Sequence, residues 1–241
     1  MKREAQMNIF DILGPVMVGP SSSHTAGAVR IGLVTRRLLG EKVKTARIGM
    51  YGSFAATGKG HGTDRALVAG LLGMEPDDIR IPDSFAQAER EKMKFQIGEI
   101  SLSGAHPNTA VLKVEGVSGR KLEVQASSLG GGRIMINRLD GIEVNCTCEM
   151  PTLIVHNIDQ PGHVAKVTSM LFESNINIAN MSLYRDRRGG IAVMVIEADK
   201  EIPEQMLEWL KQQEGIKKVT YINYQRSKRR RKKWPINHWR K

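Results

Sequence analysis

The feature that most constrains this chain is a change of texture near residue 150. From Asn8 to about Met150, glycines and small polar residues gather in short loops that each precede a helical pattern, whereas from Pro151 onward strands and helices follow one another in regular order. In the second part, Thr152 to Asn157 reads as a strand and His163 to Ser174 as a helix with Val164, Val167, Met170 and Leu171 on one stripe. Strands follow at Ile176 to Arg185 and Gly190 to Ala198, then a helix from Pro203 to Gln213 and a last strand from Lys217 to Tyr224. The order βαββαβ is the split ferredoxin-like arrangement.

The first part is read as an α/β (α+β) domain. Ser21-Ser22-Ser23 favours an N-cap, and the helix it opens runs from Thr25 to Leu39 with Ala26, Val29 and Leu33 apolar and Arg36 and Arg37 basic. A strand from Ala46 to Tyr51 leads through Gly52-Ser53-Phe54 into a loop, Thr57 to Asp64, and a helix from Arg65 to Leu72. Asp78 to Ile81, Phe95 to Leu102, Thr109 to Glu115, Lys121 to Ser127 and Arg133 to Leu139 are read as strands, with Phe85 to Lys92 helical. Val117-Ser118-Gly119 between two of them predicts an antiparallel hairpin.

A chain of 241 residues has room for two such domains with packed cores, and 41% hydrophobic with 25% charged residues is ordinary globular usage. The longest apolar runs, such as Ile191 to Ile196, fall far short of the ~20 residues that a membrane-spanning helix needs. Lys2 and Arg3 precede an apolar run broken by Gly14 and Pro15 with no small-residue cleavage site, so no signal peptide is read and a cytoplasmic location is expected.

The net charge of +11 is concentrated at one end. Nine basic residues and no acidic ones lie between Arg226 and Lys241; subtracting them from 36 leaves 27 basic residues against 25 acidic, or +2. The body is nearly neutral, and residues 226–241 read as a basic tail kept disordered by self-repulsion. Such a tail is either a weak contact for nucleic acid or an acidic partner, or a solvated appendage. It lacks interleaved aromatics apart from Trp234 and Trp239.

Cys146 and Cys148 are the two cysteines, set two apart on what reads as a strand and so on one face. They are too few for a disulfide framework or for an iron–sulfur cluster, which takes three or four thiolates.

Gly19-Pro20-Ser21-Ser22-Ser23-His24-Thr25 opens a helix, where backbone N–H groups, hydroxyls and the positive end of the dipole favour a carboxylate or phosphate. His24 stands beside that anion site with a pKa suited to moving a proton. Lys59-Gly60-His61-Gly62-Thr63-Asp64 repeats the logic without P-loop spacing. His106-Pro107-Asn108-Thr109 and Ser127-Ser128-Leu129-Gly130-Gly131-Gly132-Arg133 are two more loops of polar and permissive residues. Each alone reads as an ordinary turn; four within ~110 residues favour one convergent ligand site. The three histidines lack the short spacing of a zinc motif.

Phe10-Asp11-Ile12-Leu13-Gly14-Pro15, Gly19-Pro20-Ser21-Ser22-Ser23-His24-Thr25-Ala26-Gly27, Gly60-His61-Gly62-Thr63-Asp64, His106-Pro107-Asn108-Thr109 and Ser128-Leu129-Gly130-Gly131-Gly132 together carry a resemblance. On these motifs the chain resembles the beta subunit of the iron–sulfur-dependent L-serine dehydratases of bacteria over residues 8 to 225, and the second part resembles an ACT domain. The resemblance implies a serine dehydratase beta domain at 1–150 that holds the substrate site, an ACT regulatory domain at 151–225, and the basic tail at 226–241 outside the pattern.

It further implies a lyase that converts L-serine to pyruvate and ammonia, active only with an alpha subunit whose cysteines carry a [4Fe-4S] cluster. An open iron would act there as a Lewis acid on the substrate. Carried over by motif, His24 is the catalytic base. Ser22, Ser23 and Thr25 orient the carboxylate, and His61, Thr63, Asp64, His106 and Asn108 complete the pocket at the subunit interface. No metal ligand is assigned in this chain. Asn157-Ile158-Asp159-Gln160-Pro161-Gly162 matches the loop where ACT domains bind amino-acid effectors, so Asn157, Asp159 and Gly162 are the effector-site candidates, and the ACT half is expected to self-associate. The competing reading is an amino-acid-binding regulatory module of another metabolic enzyme, such as a phosphoglycerate dehydrogenase. The histidine-bearing loops favour catalysis.

Overall fold

In the computed structural model, residues 16–223 are described. The Phe10–Pro15 motif, Tyr224 and the basic tail lie outside them. The chain divides into two units, one running through Thr147 with Tyr184–Asp186, the other made of Cys148–Leu183 and the residues from Arg187 onward.

The first unit opens with a π-helical turn, Ser22–Gly27, that feeds directly into α1 (Ala28–Leu39). The helix therefore begins at the serine cluster rather than at Thr25. β1 (Val43–Met50) follows, then α2 (Ser53–His61), α3 (Thr63–Leu71), α4 (Ser84–Arg90), β2 (Lys94–Glu99), β3 (Thr109–Gly116), β4 (Lys121–Gly130), β5 (Arg133–Leu139) and β6 (Ile142–Cys146). The strands form one sheet in the order β2-β1-β3-β4-β5-β6, with β1 and β2 parallel and the other pairs antiparallel.

Three further segments of the first unit depart from the sequence-based expectation. The loop expected from Thr57 to Asp64 is the end of α2 and the start of α3; Gly62, at φ 67°, ends one helix and begins the next without a connecting loop. Asp78 to Ile81 is a turn, not a strand, because the Asp78 carboxylate accepts the Arg80 N–H at 3.0 Å and so closes the backbone locally. Cys148 lies beyond β6 with φ 54°, so the two cysteines do not share one strand face.

Period-two alternation places the core. Ala46, Ile48, Leu112, Val114, Leu122, Val124, Ala126, Ile134 and Ile136 are all buried, while Arg47, Lys113 and Arg138 are exposed. α1 packs on β3 and β4 and crosses α3. Its Val29, Ile31, Leu33, Val34, Leu38 and Leu39 are buried, each worth roughly 1.5–3 kcal/mol for the larger side chains. At the crossing, a Cβ on Gly32 would stand 2.3 Å from the Leu67 carbonyl, and one on Gly70 would stand 2.1 Å from the Val29 carbonyl. The two helices touch backbone to backbone, which fixes the residues at their N-termini relative to each other.

The second unit is β7 (Thr152–Ile158), α5 (His163–Glu173), β8 (Ile178–Arg185), β9 (Ile191–Ala198), α6 (Glu204–Lys211) and β10 (Ile216–Ile222). Its sheet order, β10-β7-β9-β8, is the ferredoxin-like one. Leu153, Val155, Val167, Met170, Leu171, Met194, Ile196, Leu207 and Leu210 make its core. Val164, expected on the buried stripe, is exposed: the stripe that α5 turns inward runs through His163, Val167, Met170 and Leu171, and Val164 stands one position round the helix from it. No helix among the described residues is long and apolar enough to cross a membrane.

Candidate active site

The site is built where three chain reversals meet. The first is the π-helical turn, capped by Ser21, whose Oγ accepts the His24 backbone N–H at 3.1 Å. The second is the turn between β1 and α2. There Tyr51 N–H donates to the Thr109 carbonyl at 3.0 Å and Ser53 N–H to the Pro107 carbonyl at 2.8 Å. Gly52 has φ 58° and ψ −123°, and a Cβ there would lie 2.7 Å from the Pro107 oxygen, so the turn admits only glycine. The third is the junction of α2 with α3 at Gly62.

These reversals bring His24 and His61 together, with ring centroids 5.0 Å apart and the rings edge to face. Phe54, fully buried, packs its ring 5.5 Å from that of His24. Both nitrogens of His24 meet hydroxyls: Nδ1 lies 3.3 Å from Ser21 Oγ and Nε2 lies 3.0 Å from Ser53 Oγ. Thr25 is buried and its hydroxyl donates to the His61 carbonyl at 3.5 Å, tying the first reversal to the third.

Partial burial is the main cause that holds the His24 pKa below the ordinary histidine value; the nearby His61 adds to it and a backbone hydrogen bond at Ser53 opposes it. His24 is therefore neutral at neutral pH. A neutral imidazole has a lone pair to offer a proton.

Among the described residues, two buried hydroxyls lack any hydrogen-bond partner. Thr63 Oγ1 sits in the first turn of α3, and Ser128 Oγ lies against Gly27, where an added Cβ would stand 2.0 Å from it. A buried hydroxyl left unsatisfied costs about 1–3 kcal/mol, and such groups gather where a ligand supplies the missing partner. Ser23 Oγ comes within 3.5 Å of where a Cβ on Gly130 would be, so the β4–β5 hairpin closes over the serine turn.

The remaining candidates are placed differently. The His106–Thr109 loop adjoins the site through its backbone: the Pro107 carbonyl takes the Ser53 N–H and the Asn108 carbonyl takes the Ser128 N–H at 2.9 Å. The His106 ring accepts the Asn108 N–H at 3.1 Å and lines a polar cavity of about 480 Å³ with Gln125, Ser127, Asn137 and Arg138, which neither His24 nor His61 lines. Asp64 commits an oxygen to the Arg65 N–H at 2.7 Å. Ser127, read both as the end of a strand and as the start of a loop, lies within β4, which continues to Gly130; its hydroxyl joins Thr109 Oγ1 at 2.8 Å and donates to Asn137 Oδ1 at 2.7 Å. Of the two hydroxyls on the histidine, Ser21 is expected from the sequence only as an N-cap in the anion loop, and Ser53 is given no role there. The signal available for Ser53 was its position after Gly52, between a strand and a helical pattern.

The residues do not fit an iron–sulfur cluster. Cys146 and Cys148 are both buried, two thiols are fewer than a cluster takes, and among the described residues no group of three or more His, Cys, Asp or Glu is set to hold a metal.

In the second unit, Asn157 Nδ2 donates to the Ile158 carbonyl at 2.7 Å while its buried Oδ1 has no partner. Asp159 accepts the Gly189 N–H at 3.0 Å, and Gly162, at φ 97°, starts α5. The three effector candidates thus lie at the β7–α5 junction.

Comparison with known proteins agrees with this layout. The profile of the serine dehydratase beta chain family matches residues 8–138, and that of the ACT domain matches residues 151–215. The chain is 40% identical over 215 residues to the probable L-serine dehydratase beta chain of Bacillus subtilis, covering 89% of this chain and 97% of that one. It is 35% identical over 216 residues to the L-serine dehydratase beta chain of Peptoniphilus asaccharolyticus, covering 89% and 96%. A shorter match, 40% over 105 residues, is to the L-serine dehydratase of Streptomyces coelicolor, covering 42% of this chain and 22% of that one. Similarity over nearly the whole of two beta chains, with the glycines and hydroxyls of the three reversals inside the matched span, makes this chain a member of the serine dehydratase beta chain family with an ACT domain following.

Proposed function

We propose that this chain is the beta subunit of an iron–sulfur-dependent L-serine dehydratase, an L-serine ammonia-lyase that works with an alpha subunit in the cytoplasm. In this reading the [4Fe-4S] cluster belongs to the alpha subunit, while the residues of this chain hold the substrate and move its proton. The overall reaction removes the α-proton and the β-hydroxyl of L-serine. The aminoacrylate so formed tautomerises and hydrolyses to pyruvate and ammonia.

His24 is the base for the α-proton. The observation that carries this role is its setting: neutral, partly desolvated, held at both ring nitrogens and fixed against Phe54 and His61. Ser22, Ser23 and Thr25, with the N–H groups at the start of the first helix, orient the carboxylate. Thr63 and Ser128 offer hydroxyls that have no partner until substrate arrives. His61 and Asp64 border the pocket from the α2–α3 junction, and the loop carrying His106 and Asn108 supports it through its backbone. The ACT unit binds an amino-acid effector near Asn157, Asp159 and Gly162 and associates with a second copy.

The test is His24→Ala in the enzyme assembled with its partner. Turnover is expected to fall by about 10²–10⁴-fold, the usual share of general base catalysis, while the subunits still associate. Retained turnover removes His24 from this role.

A further inference from the structure

The turn from His106 to Thr109 is held by its carbonyls, and one of them is held differently from the rest. The Pro107 carbonyl accepts the Ser53 N–H, that of Asn108 the Ser128 N–H and that of Thr109 the Tyr51 N–H, all backbone donors. The His106 carbonyl accepts a side chain instead, the Thr109 hydroxyl at 2.6 Å. The His106 ring follows this turn, because its Nδ1 takes the Asn108 N–H at 3.1 Å.

Behind Thr109 the polar contacts continue across the sheet. Thr109 and Ser127 face each other in register on β3 and β4 with their hydroxyl oxygens 2.8 Å apart, and Ser127 Oγ lies 2.7 Å from the Asn137 amide. Asn137 reaches it from a bulge in β5. Towards β4, Arg138 faces Gln125 and Ile136 faces Ala126; towards β6, Arg138 faces Glu143 and Ile136 faces Cys146, so Asn137 is left out of both ladders. Bulges re-aim a side chain in this way and are common beside active sites.

The protons do not suffice for these contacts while Asn137 accepts. Thr109 and Ser127 are buried, and each hydroxyl has a single proton, yet three contacts at full hydrogen-bond distance run through the pair. With Asn137 Oδ1 toward Ser127, both protons are spent at the two ends, and the 2.8 Å contact between the hydroxyls sets lone pair against lone pair. Turning the amide over exchanges Oδ1 for Nδ2 in the same place. Nδ2 brings the missing proton, and all three contacts are then hydrogen bonds.

We propose that Asn137 is a positioning residue for the His106 turn: its amide N–H donates to Ser127, Ser127 donates to Thr109, and Thr109 donates to the His106 carbonyl. This rests on the reading that the turn supports the dehydratase pocket, and it names the side chain that orders the turn from two strands away. The chain of bonds runs one way only, so a group at position 137 that can only accept reverses it and strips the His106 carbonyl of its donor.

The experiment measures kcat and KM for L-serine in the anaerobically assembled enzyme for wild type, Thr109→Val, Thr109→Ser, Asn137→Asp and Asn137→Ala. Thr109→Val keeps the shape and loses the donor, so kcat/KM should fall by roughly 10-fold, and Thr109→Ser, which keeps the hydroxyl, should recover most of it. Asn137→Asp is nearly isosteric but at neutral pH only accepts. It should fall as far as Thr109→Val, whereas Asn137→Ala, which removes the first donor without reversing the chain, should lose less. An Asn137→Asp enzyme that matches wild type, or one that exceeds Asn137→Ala, overturns the proposal, as does a Thr109→Val enzyme with wild-type kcat/KM. A second readout needs no turnover: in NMR spectra of the full-length chain, an Asn137 side-chain amide proton should be protected from solvent exchange and lose that protection in Ser127→Ala. A freely exchanging Asn137 amide overturns the chain of bonds by itself, and a wild-type complex that makes no pyruvate overturns the dehydratase reading and with it the role of the turn.

Discussion

The crossing of α1 and α3 gives the sharpest prediction, because two effects of opposite sign meet at Gly70. Replacing a helix-interior glycine with alanine ordinarily stabilises by about 1 kcal/mol. Here the new Cβ would stand 2.1 Å from the Val29 carbonyl and 2.6 Å from the Leu33 N, both backbone atoms that no rotamer change can move aside. Restoring ordinary contact requires the helices to part by ~1 Å or more, against overpacking costs of about 1–3 kcal/mol, here at the upper end. The clash wins, and Gly70→Ala should destabilise by ~2 kcal/mol, lowering the melting temperature by about 4–8 °C. The same displacement separates the start of α3, with Thr63, from the turn that carries His24 and Thr25, so kcat/KM should drop by roughly 10–100-fold. Thermal melting and serine kinetics on the assembled enzyme read the two effects separately. Gly98→Ala is the control: nothing lies within 4 Å of its added Cβ, and it should melt like wild type. A Gly70→Ala protein that melts higher and turns over normally would refute the backbone-to-backbone crossing.

Other consequences are as direct. Thr63→Val removes a buried hydroxyl with no partner, so it should melt at or above the wild-type temperature while raising KM for serine; a lower melting point with unchanged KM contradicts a ligand role for that hydroxyl. Because the His24 pKa lies below the ordinary value near 6.5, the acid limb of kcat/KM should fall below that pH, activity being lost as pH falls through the lowered pKa and protonates the base. His61→Asn should move that limb upward, but only partly, since burial rather than His61 is the larger cause. Calorimetry of the whole chain with each common amino acid should give heat with at least one, weakened by Asp159→Ala, which frees the Gly189 N–H; no heat with any of them removes the effector site from the β7–α5 junction.

The strands from Thr109 to Leu139 were legible because alternation of apolar and polar residues reports directly on a sheet with one helix-covered face. The ferredoxin-like order of the second unit was legible for the same reason, with helices and strands of ordinary length between clear turns. α2 was not, since Gly58 and Gly60 lower its intrinsic propensity and its start depends on the Pro107 carbonyl, supplied from far along the chain. The motif serines were read as one anion cradle, yet it is Ser21 that holds the histidine, because a side chain three residues ahead of a turn reaches back to it. Ser53 was invisible in the same way: its partner is 29 residues away, and no local pattern records a contact made by tertiary folding. Unpartnered hydroxyls such as those of Thr63 and Ser128 have no sequence signature at all, since what distinguishes them is a missing neighbour.

The most direct test of the central claim is anaerobic purification of this chain with its native partner, assayed for pyruvate formed from L-serine. The account predicts pyruvate, together with a cysteine-rich second chain and the visible absorbance of an iron–sulfur cluster that this chain alone does not show. A purified complex that leaves L-serine unchanged, or a chain that turns serine over with no partner at all, contradicts it.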